Sequence, residues 1–117
     1  MVALHPEIAR RALATARALS REGTLRALYV FGSHVEGRAH EWSDIDIAAF
    51  MEGVESWDLW RRTDVIVRVQ QQVGYDVEPH LFPASSLAAP EPGSFEEYVI
   101  QHGVRVGDGV SGVSGPA

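Results

Sequence analysis

The chain of 117 residues contains no cysteine and no lysine. Without cysteine it can form neither disulfides nor thiolate metal sites, which is compatible with the cytoplasmic location that we expect. All 10 basic residues are arginine. Arginine suits bidentate contacts to phosphate, but a GC-biased genome produces the same usage, and we favour that explanation.

Positive charge and long apolar runs are also scarce. The formal net charge of −6 argues against a broad nucleic-acid-binding surface, which needs clustered basic residues. No stretch approaches the roughly 20 apolar residues of a membrane helix, and the charged N-terminal segment does not resemble a signal peptide. Hydrophobic residues make up 45% of the chain, enough for one domain with a packed core.

Residues 1–107 are predicted to form this domain, and residues 108–117, which lack a core-forming pattern, a disordered tail. Apolar residues at helical spacing predict a first helix that starts near Pro6 and ends at Gly23.

Two further helices are predicted downstream. Ser56 is expected to cap the second helix, which carries Leu59 on its apolar face and ends at Gly74. Ser94 is expected to cap a short last helix, because Glu97 follows at capping-box spacing.

Three apolar or alternating segments predict strands over residues 25–31, 44–50 and 75–82, and Val104 and Val106 suggest a short fourth strand. The first two strands should be antiparallel neighbours because their connection is short. Pro79 implies an edge position for the third. We therefore expect an α+β domain with a mixed sheet of about four strands and helices packed on one side.

Two aspartates on the second predicted strand are the main functional signal. Asp44 and Asp46 are two positions apart, so they point the same way at a separation of roughly 6.5 Å, while Ile45 and Ile47 face a core. Two like charges on a half-buried strand are unfavourable unless a positive group lies between them. A divalent cation would meet this requirement.

A purely structural explanation is the alternative. Gly32 and Ser33 can form a plain turn after the first strand, and Asp44 can cap a turn. Asp46 would then need an ion-pair partner, either Arg38 or Arg68.

The order Gly32-Ser33, Gly37, then Asp44-x-Asp46 resembles the signature of the nucleotidyltransferase superfamily that includes DNA polymerase beta. The small size is similar to that of its minimal nucleotidyltransferase branch. The combination is more specific than either motif alone, and the resemblance extends to about residue 107.

The resemblance implies a site for a nucleoside triphosphate, expected to be ATP, and one or two Mg²⁺ ions. Asp44 and Asp46 would hold the metal together with a third carboxylate from the third strand. The nucleotide would contact the loop residues Gly32, Ser33, Gly37, Arg38 and Ser43.

The third carboxylate is either Glu78 or Asp76, because both fall on the third predicted strand and would share a face. In the branch of the family that the chain most resembles, a Glu-Pro-His-type segment makes Glu78 the better match, and we expect it to be both a metal ligand and catalytic. In the more common branch an aspartate earlier on the strand would favour Asp76, which is the alternative catalytic carboxylate. His34, His40 and His80 are not spaced as a metal cluster, and we expect surface or supporting roles for them.

Two local features leave alternatives open. The family often has an arginine where this chain has Glu36, so either Arg38 contacts the phosphates, or Glu36 faces solvent, or nucleotide binding is weakened. Trp42 either stacks on a nucleobase or packs at the start of the second strand, and packing is the expectation we favour.

The resemblance implies a Mg²⁺-dependent transfer of NMP, expected to be AMP from ATP, to a protein or small-molecule acceptor. It also implies a partner, a small helical protein of the HEPN type in a toxin–antitoxin pair, or a second copy of this chain. The alternative is a binding module with a weak or inactive site that neutralises its helical partner by contact.

Overall fold

The computed structural model describes residues 4–107, and the predicted tail over residues 108–117 lies outside the described residues. The helices and strands are α1 (Pro6–Ser20), β1 (Leu25–Phe31), α2 (Ser33–Glu36), β2 (Ile45–Met51), a 3-10 helix (Val54–Ser56), α3 (Leu59–Val73), β3 (Val77–Pro83), α4 (Ser85–Ala88), α5 (Phe95–His102) and β4 (Val104–Val106). Within residues 4–107, no helix is long and apolar enough to cross a membrane.

The strands form one mixed sheet in the order β3-β2-β1-β4. β1 is antiparallel to β2 and β4, whereas β3 is parallel to β2, since α3 carries the chain back between them. The predicted α+β class, the four strands and the antiparallel β1–β2 pair are confirmed. β3 is an edge strand, as Pro79 predicted.

The sheet separates two apolar clusters. The larger lies between the sheet and the two long helices, and it includes Leu19, Leu28, Val30, Ile45, Ile47, Val65 and Val69. The smaller lies on the other face, where Tyr29, Phe31 and Phe50 pack with Val99 of α5. Strand alternation therefore turns Ile45 and Ile47 toward α1 and α3, and it leaves Asp46 on the face that α5 covers.

The start of α3 differs from the prediction. Asp58 caps the helix by accepting a hydrogen bond from the backbone N–H of Arg61 at 2.8 Å, while Ser56 belongs to the preceding 3-10 helix. Leu59 was expected on the apolar face, but it is 73% exposed. The helix turns Val65 and Val69 inward instead, and Leu59 lies outside that stripe.

The two strands that carry carboxylates begin later than predicted. β2 starts at Ile45, so Asp44 precedes it, and β3 starts at Val77, so Asp76 precedes it. The expectation that Asp76 shares a strand face with Glu78 is wrong. The Asp76 carboxylate turns toward α1, where the Arg11 guanidinium donates to both of its oxygens at 2.5 and 2.8 Å.

The Arg11–Asp76 pair should stabilise the fold at neutral pH. The hydrogen bond from Arg11 lowers the pKa of Asp76 below its ordinary value of 3.8. This contribution is therefore present above the unfolded-state pKa and is lost as the pH falls through the folded-state pKa. We expect Asp76→Asn to reduce the free energy of unfolding by about 0.5–1 kcal/mol near pH 7 and by much less near pH 3.

Urea unfolding at the two pH values measures this difference. Glu7→Gln is the matched control, because it breaks the more exposed Arg10–Glu7 pair within one helix and should have a smaller effect at neutral pH. An Asp76→Asn loss of equal size at both pH values would contradict an electrostatic contribution.

Candidate functional site

Three donor side chains converge where β2 and β3 run side by side. Asp46 pairs with Glu78 in the parallel register, and His80 follows two residues later opposite Ala48. Asp46, Glu78 and His80 each offer a ligand atom, and these atoms lie within 4.8 Å of one another. The parallel pairing thus assembles two carboxylates and one imidazole from only two strands.

The spacing of these atoms suits a single cation. Two donors at about 2.1 Å on opposite sides of an ion are about 4.2 Å apart. The distance from Asp46 Oδ1 to His80 Nε2 is 3.9 Å, which is inside that limit. Separations of up to 4.8 Å within the cluster would close with small side-chain rotations. The residues present therefore fit a divalent cation.

Asp44, the other predicted metal ligand on this strand, lies next to the group but is not one of its three donors. The pKa of Glu78 is raised, and the largest cause is its side-chain hydrogen bond with Asp44, followed by burial and by the negative charges of Asp44 and Asp46. Asp44 therefore lies beside Glu78 although it precedes β2. A proton or a cation relieves the mutual repulsion of these carboxylates.

Gly32 provides the space that Asp46 occupies. Its φ of +83° is in the left-handed region, and a Cβ atom there would lie 2.5 Å from Asp46 Oδ2. The residue before it, Phe31, pairs with Asp46 across the β1–β2 ladder. Glycine is thus required at position 32 for two reasons: the backbone has a positive φ, and a side chain would collide with the Asp46 carboxylate.

The predicted nucleotide-binding residues lie on two sides of the loop. A groove of about 680 Å³ runs between this loop and α1, and its lining includes Ser33, Gly37 and Ser43. The Ser43 hydroxyl accepts a hydrogen bond from the His40 backbone N–H at 2.9 Å. Gly32, by contrast, faces the carboxylate cluster.

Glu36 is held by its neighbours. Tyr98 donates its hydroxyl to Glu36 Oε2 at 2.6 Å, and Arg38 Nη2 donates to Oε1 at 2.5 Å. These hydrogen bonds, from Tyr98 first and then Arg38, lower the pKa of Glu36. Arg38, which was expected to contact phosphate, is therefore paired with Glu36, the residue that stands where the family often has an arginine.

Neither arginine that the structural alternative named as a partner of Asp46 is paired with it. Arg38 pairs with Glu36, and Arg68 pairs with Glu22 at 2.8 Å, so neither is the partner of Asp46. Trp42 is 80% exposed and does not pack at the start of β2, contrary to our expectation.

His80 lies with Asp46 and Glu78 in this candidate group, whereas the sequence analysis expected a surface or supporting role for it. The signal was its spacing of two from Glu78, which places both side chains on one strand face. What the sequence did not show was that β3 pairs with β2 in a parallel register, which brings His80 to Asp46.

The fold and the site together define a polymerase beta-like nucleotidyltransferase domain. The profile of the family "Polymerase beta, Nucleotidyltransferase" matches residues 15–81, more than half of the chain, and the protein belongs to this family. No curated protein matches the sequence.

A solved structure supports the fold. The chain is similar to the crystal structure, at 1.40 Å resolution, of a candidate nucleotidyltransferase from Sulfolobus solfataricus. The TM-score is 0.50 and the sequence identity 23%, and the match covers 70% of this chain and 76% of that one. At this identity the similarity shows the fold alone.

Gly32→Ala should disturb the carboxylate cluster as well as the backbone. Alanine at a positive φ costs about 1–3 kcal/mol wherever it occurs. Gly53→Ala is the matched control, because Gly53 has a φ of +75° and no atom within 4 Å of the added Cβ. We expect Gly32→Ala to lose more stability than Gly53→Ala in urea unfolding, and only Gly32→Ala to weaken cation binding. Equal losses in both variants would show that Gly32 serves the backbone only.

Asp46→Asn should stabilise the protein when no cation is present. The substitution removes one of the repelling charges, so the Tm in EDTA should rise by several degrees. Added Mg²⁺ or Mn²⁺ should raise the Tm of the unchanged protein and not that of the variant, because a ligand stabilises only the state that binds it. Glu55→Gln, an exposed change in the 3-10 helix, serves as the control. A cation-induced rise of the same size in Asp46→Asn would contradict a site at Asp46.

Proposed function

We propose that the protein is a Mg²⁺-dependent nucleotidyltransferase that transfers NMP, in the first instance AMP from ATP, to a hydroxyl of a protein or small molecule. The observation that carries the proposal is the pairing of Asp46 with Glu78 on parallel strands, with Gly32 packed against Asp46. Family membership supports the reaction class.

In the proposed reaction an acceptor hydroxyl oxygen forms a bond to the α-phosphorus of the triphosphate. The bond from that phosphorus to the bridging oxygen breaks, and pyrophosphate leaves with the electron pair. We assign the hydroxyl proton to Glu78, through a carboxylate oxygen that the cation leaves free. Asp44, Asp46 and Glu78 would hold the cation, which when bound would neutralise charge on the phosphates.

The triphosphate is proposed to lie at the loop between β1 and β2. Ser33 and Ser43 offer hydroxyl groups along the groove between this loop and α1, and no atom lies within 4 Å of a Cβ added at Gly37. The carboxylate cluster does not line this groove, so the triphosphate would have to extend past Gly32 to reach the cation. Arg38 contributes only if a phosphate replaces Glu36 as its partner, because the two side chains are paired in the structure.

Glu78 is proposed as the third carboxylate in preference to Asp76. Its ligand atom lies in the cluster with Asp46. Asp76 is instead bound by both terminal nitrogens of the Arg11 guanidinium on α1. A carboxylate held in this way would have to break a bidentate ion pair before it could bind a metal.

The proposed helical partner or second copy is supported by exposed apolar side chains. Leu59 and Trp60, adjacent at the start of α3, are 73% and 78% exposed. Adjacent apolar side chains of this size favour an interaction surface. They would serve a contact-only binding module equally well, but such a module has no need for clustered carboxylates that repel one another.

Label transfer tests the activity. The protein is incubated with Mg²⁺, each α-labelled NTP in turn, and a candidate small helical partner protein. We expect labelling with ATP that falls at least about 100-fold in Asp46→Asn and in Glu78→Gln, because each removes a proposed metal ligand. Asp76→Asn, matched in chemistry but outside the cluster, should retain activity.

Two results would count against the proposal. Absence of transfer with every NTP, while the partner still binds the unchanged protein and Asp46→Asn equally, would favour the contact-only module. Equal loss in Asp76→Asn and Glu78→Gln would refute the assignment of Glu78.

A further inference from the structure

We infer that His80 is a direct nitrogen ligand of the cation site, which therefore binds a transition cation such as Mn²⁺ more tightly than the Mg²⁺ of the proposed reaction. The inference rests on the proposed cation site, and it concerns the ligand set and the metal rather than the reaction. His80 lies on β3 two residues beyond Glu78, and its Nε2 atom belongs to the same group of donors as Asp46 and Glu78.

The first argument is the unsatisfied nitrogen. The His80 side chain is 40% exposed, but its Nε2 atom is buried and has no hydrogen-bond partner among residues 4–107. Buried polar atoms are nearly always paired, so a buried nitrogen without a partner calls for an explanation. A cation between His80 and the two carboxylates would supply the missing partner.

The second argument is the distance to Asp46. His80 Nε2 and Asp46 Oδ1 are 3.9 Å apart, which is too long for a hydrogen bond. Two donors at about 2.1 Å from a shared ion can be separated by up to about 4.2 Å. The gap therefore suits an ion between the two atoms better than direct contact.

The third argument is the fixed position of the ring. Aromatic rings pack near the imidazole, with centroid separations of 5.4 Å to Phe31 and 6.2 Å to Phe95. The parallel pairing of β2 and β3 fixes the backbone of His80 opposite Ala48. Because the strand fixes its backbone and two aromatic rings pack against it, the imidazole can bind a cation with little loss of side-chain conformational entropy.

The donor set decides which cation is preferred. Mg²⁺ demands oxygen ligands in near-ideal octahedral geometry. Imidazole suits transition cations, and the affinities of mixed nitrogen and oxygen sites increase from Mn²⁺ along the first transition row. Two carboxylates with one imidazole should therefore bind Mn²⁺ more tightly than Mg²⁺, and loss of the imidazole should reduce this preference.

Electron paramagnetic resonance of bound Mn²⁺ tests the inference without measuring turnover. The spin-echo spectrum of the unchanged protein should show modulation by a coordinated ¹⁴N nucleus. His80→Phe keeps a packed ring and removes the nitrogen, so this modulation should disappear and the Kd for Mn²⁺ should rise about tenfold or more. The Kd for Mg²⁺, measured by competition, should change less.

His102→Phe is the matched control. His102 is exposed, stacks on Tyr98 at 4.6 Å on α5, and is not among the three donors of the candidate cation site. The His102→Phe variant should show the same ¹⁴N modulation and the same Kd for Mn²⁺ as the unchanged protein. If His80→Phe fails to fold, as judged by its thermal unfolding, His80→Gln replaces the nitrogen donor with an amide oxygen. That variant should bind Mn²⁺ without nitrogen modulation and with a smaller preference over Mg²⁺.

The outcomes separate the inference from the proposed function. If Mn²⁺ binding requires Asp46 but shows no nitrogen modulation, or if His80→Phe and His80→Gln leave the Kd unchanged, His80 is not a ligand and the carboxylate site stands. If the unchanged protein binds no Mn²⁺, or if Asp46→Asn binds it equally well, the cation site fails and the proposed function fails with it.

Discussion

The parallel pairing of β2 with β3 is the constraint on which the site depends. It sets Asp46 beside Glu78, although like charges in adjacent positions destabilise a sheet. The buried side chains Ile45 and Ile47 maintain the arrangement from the opposite face, because a shift of one residue would turn them to the site and Asp46 into the core. The apolar core thus enforces a register that the carboxylates alone would oppose.

The loop after β1 is adapted to the same carboxylates. Gly32 leaves room for Asp46, while α2 is connected to α5 through the hydrogen bond from Tyr98 to Glu36. Glu36 would add negative charge beside a phosphate, but Arg38 and Tyr98 both bind it. The charge of Glu36, which replaces the arginine common in the family, is therefore compensated by Arg38 and Tyr98. The hydrogen bond from Tyr98 also links α2 to α5.

The features that were predictable are those set by local periodicity. Alternation along β2 turned Ile45 inward and Asp46 outward, and Pro79 marked an edge strand, so the orientation of Asp46 and the edge position of β3 could be predicted from the sequence. The errors involve partners distant in sequence. Nothing near Asp76 indicates that Arg11, 65 positions away, binds it, and nothing near His80 indicates a parallel neighbour that brings Asp46 close.

The edge position of β3 also shapes what the site can do. An edge strand leaves one side of Glu78 open, and Asp44 is exposed as well, so the cluster lies at the surface rather than in an enclosed cavity. An open site excludes little water, and water competes with an acceptor hydroxyl for the same phosphorus. If the proposed transfer occurs, the bound acceptor must itself cover the cluster. A folded protein acceptor could cover the cluster more completely than a small molecule could. We therefore favour a protein acceptor over a small molecule.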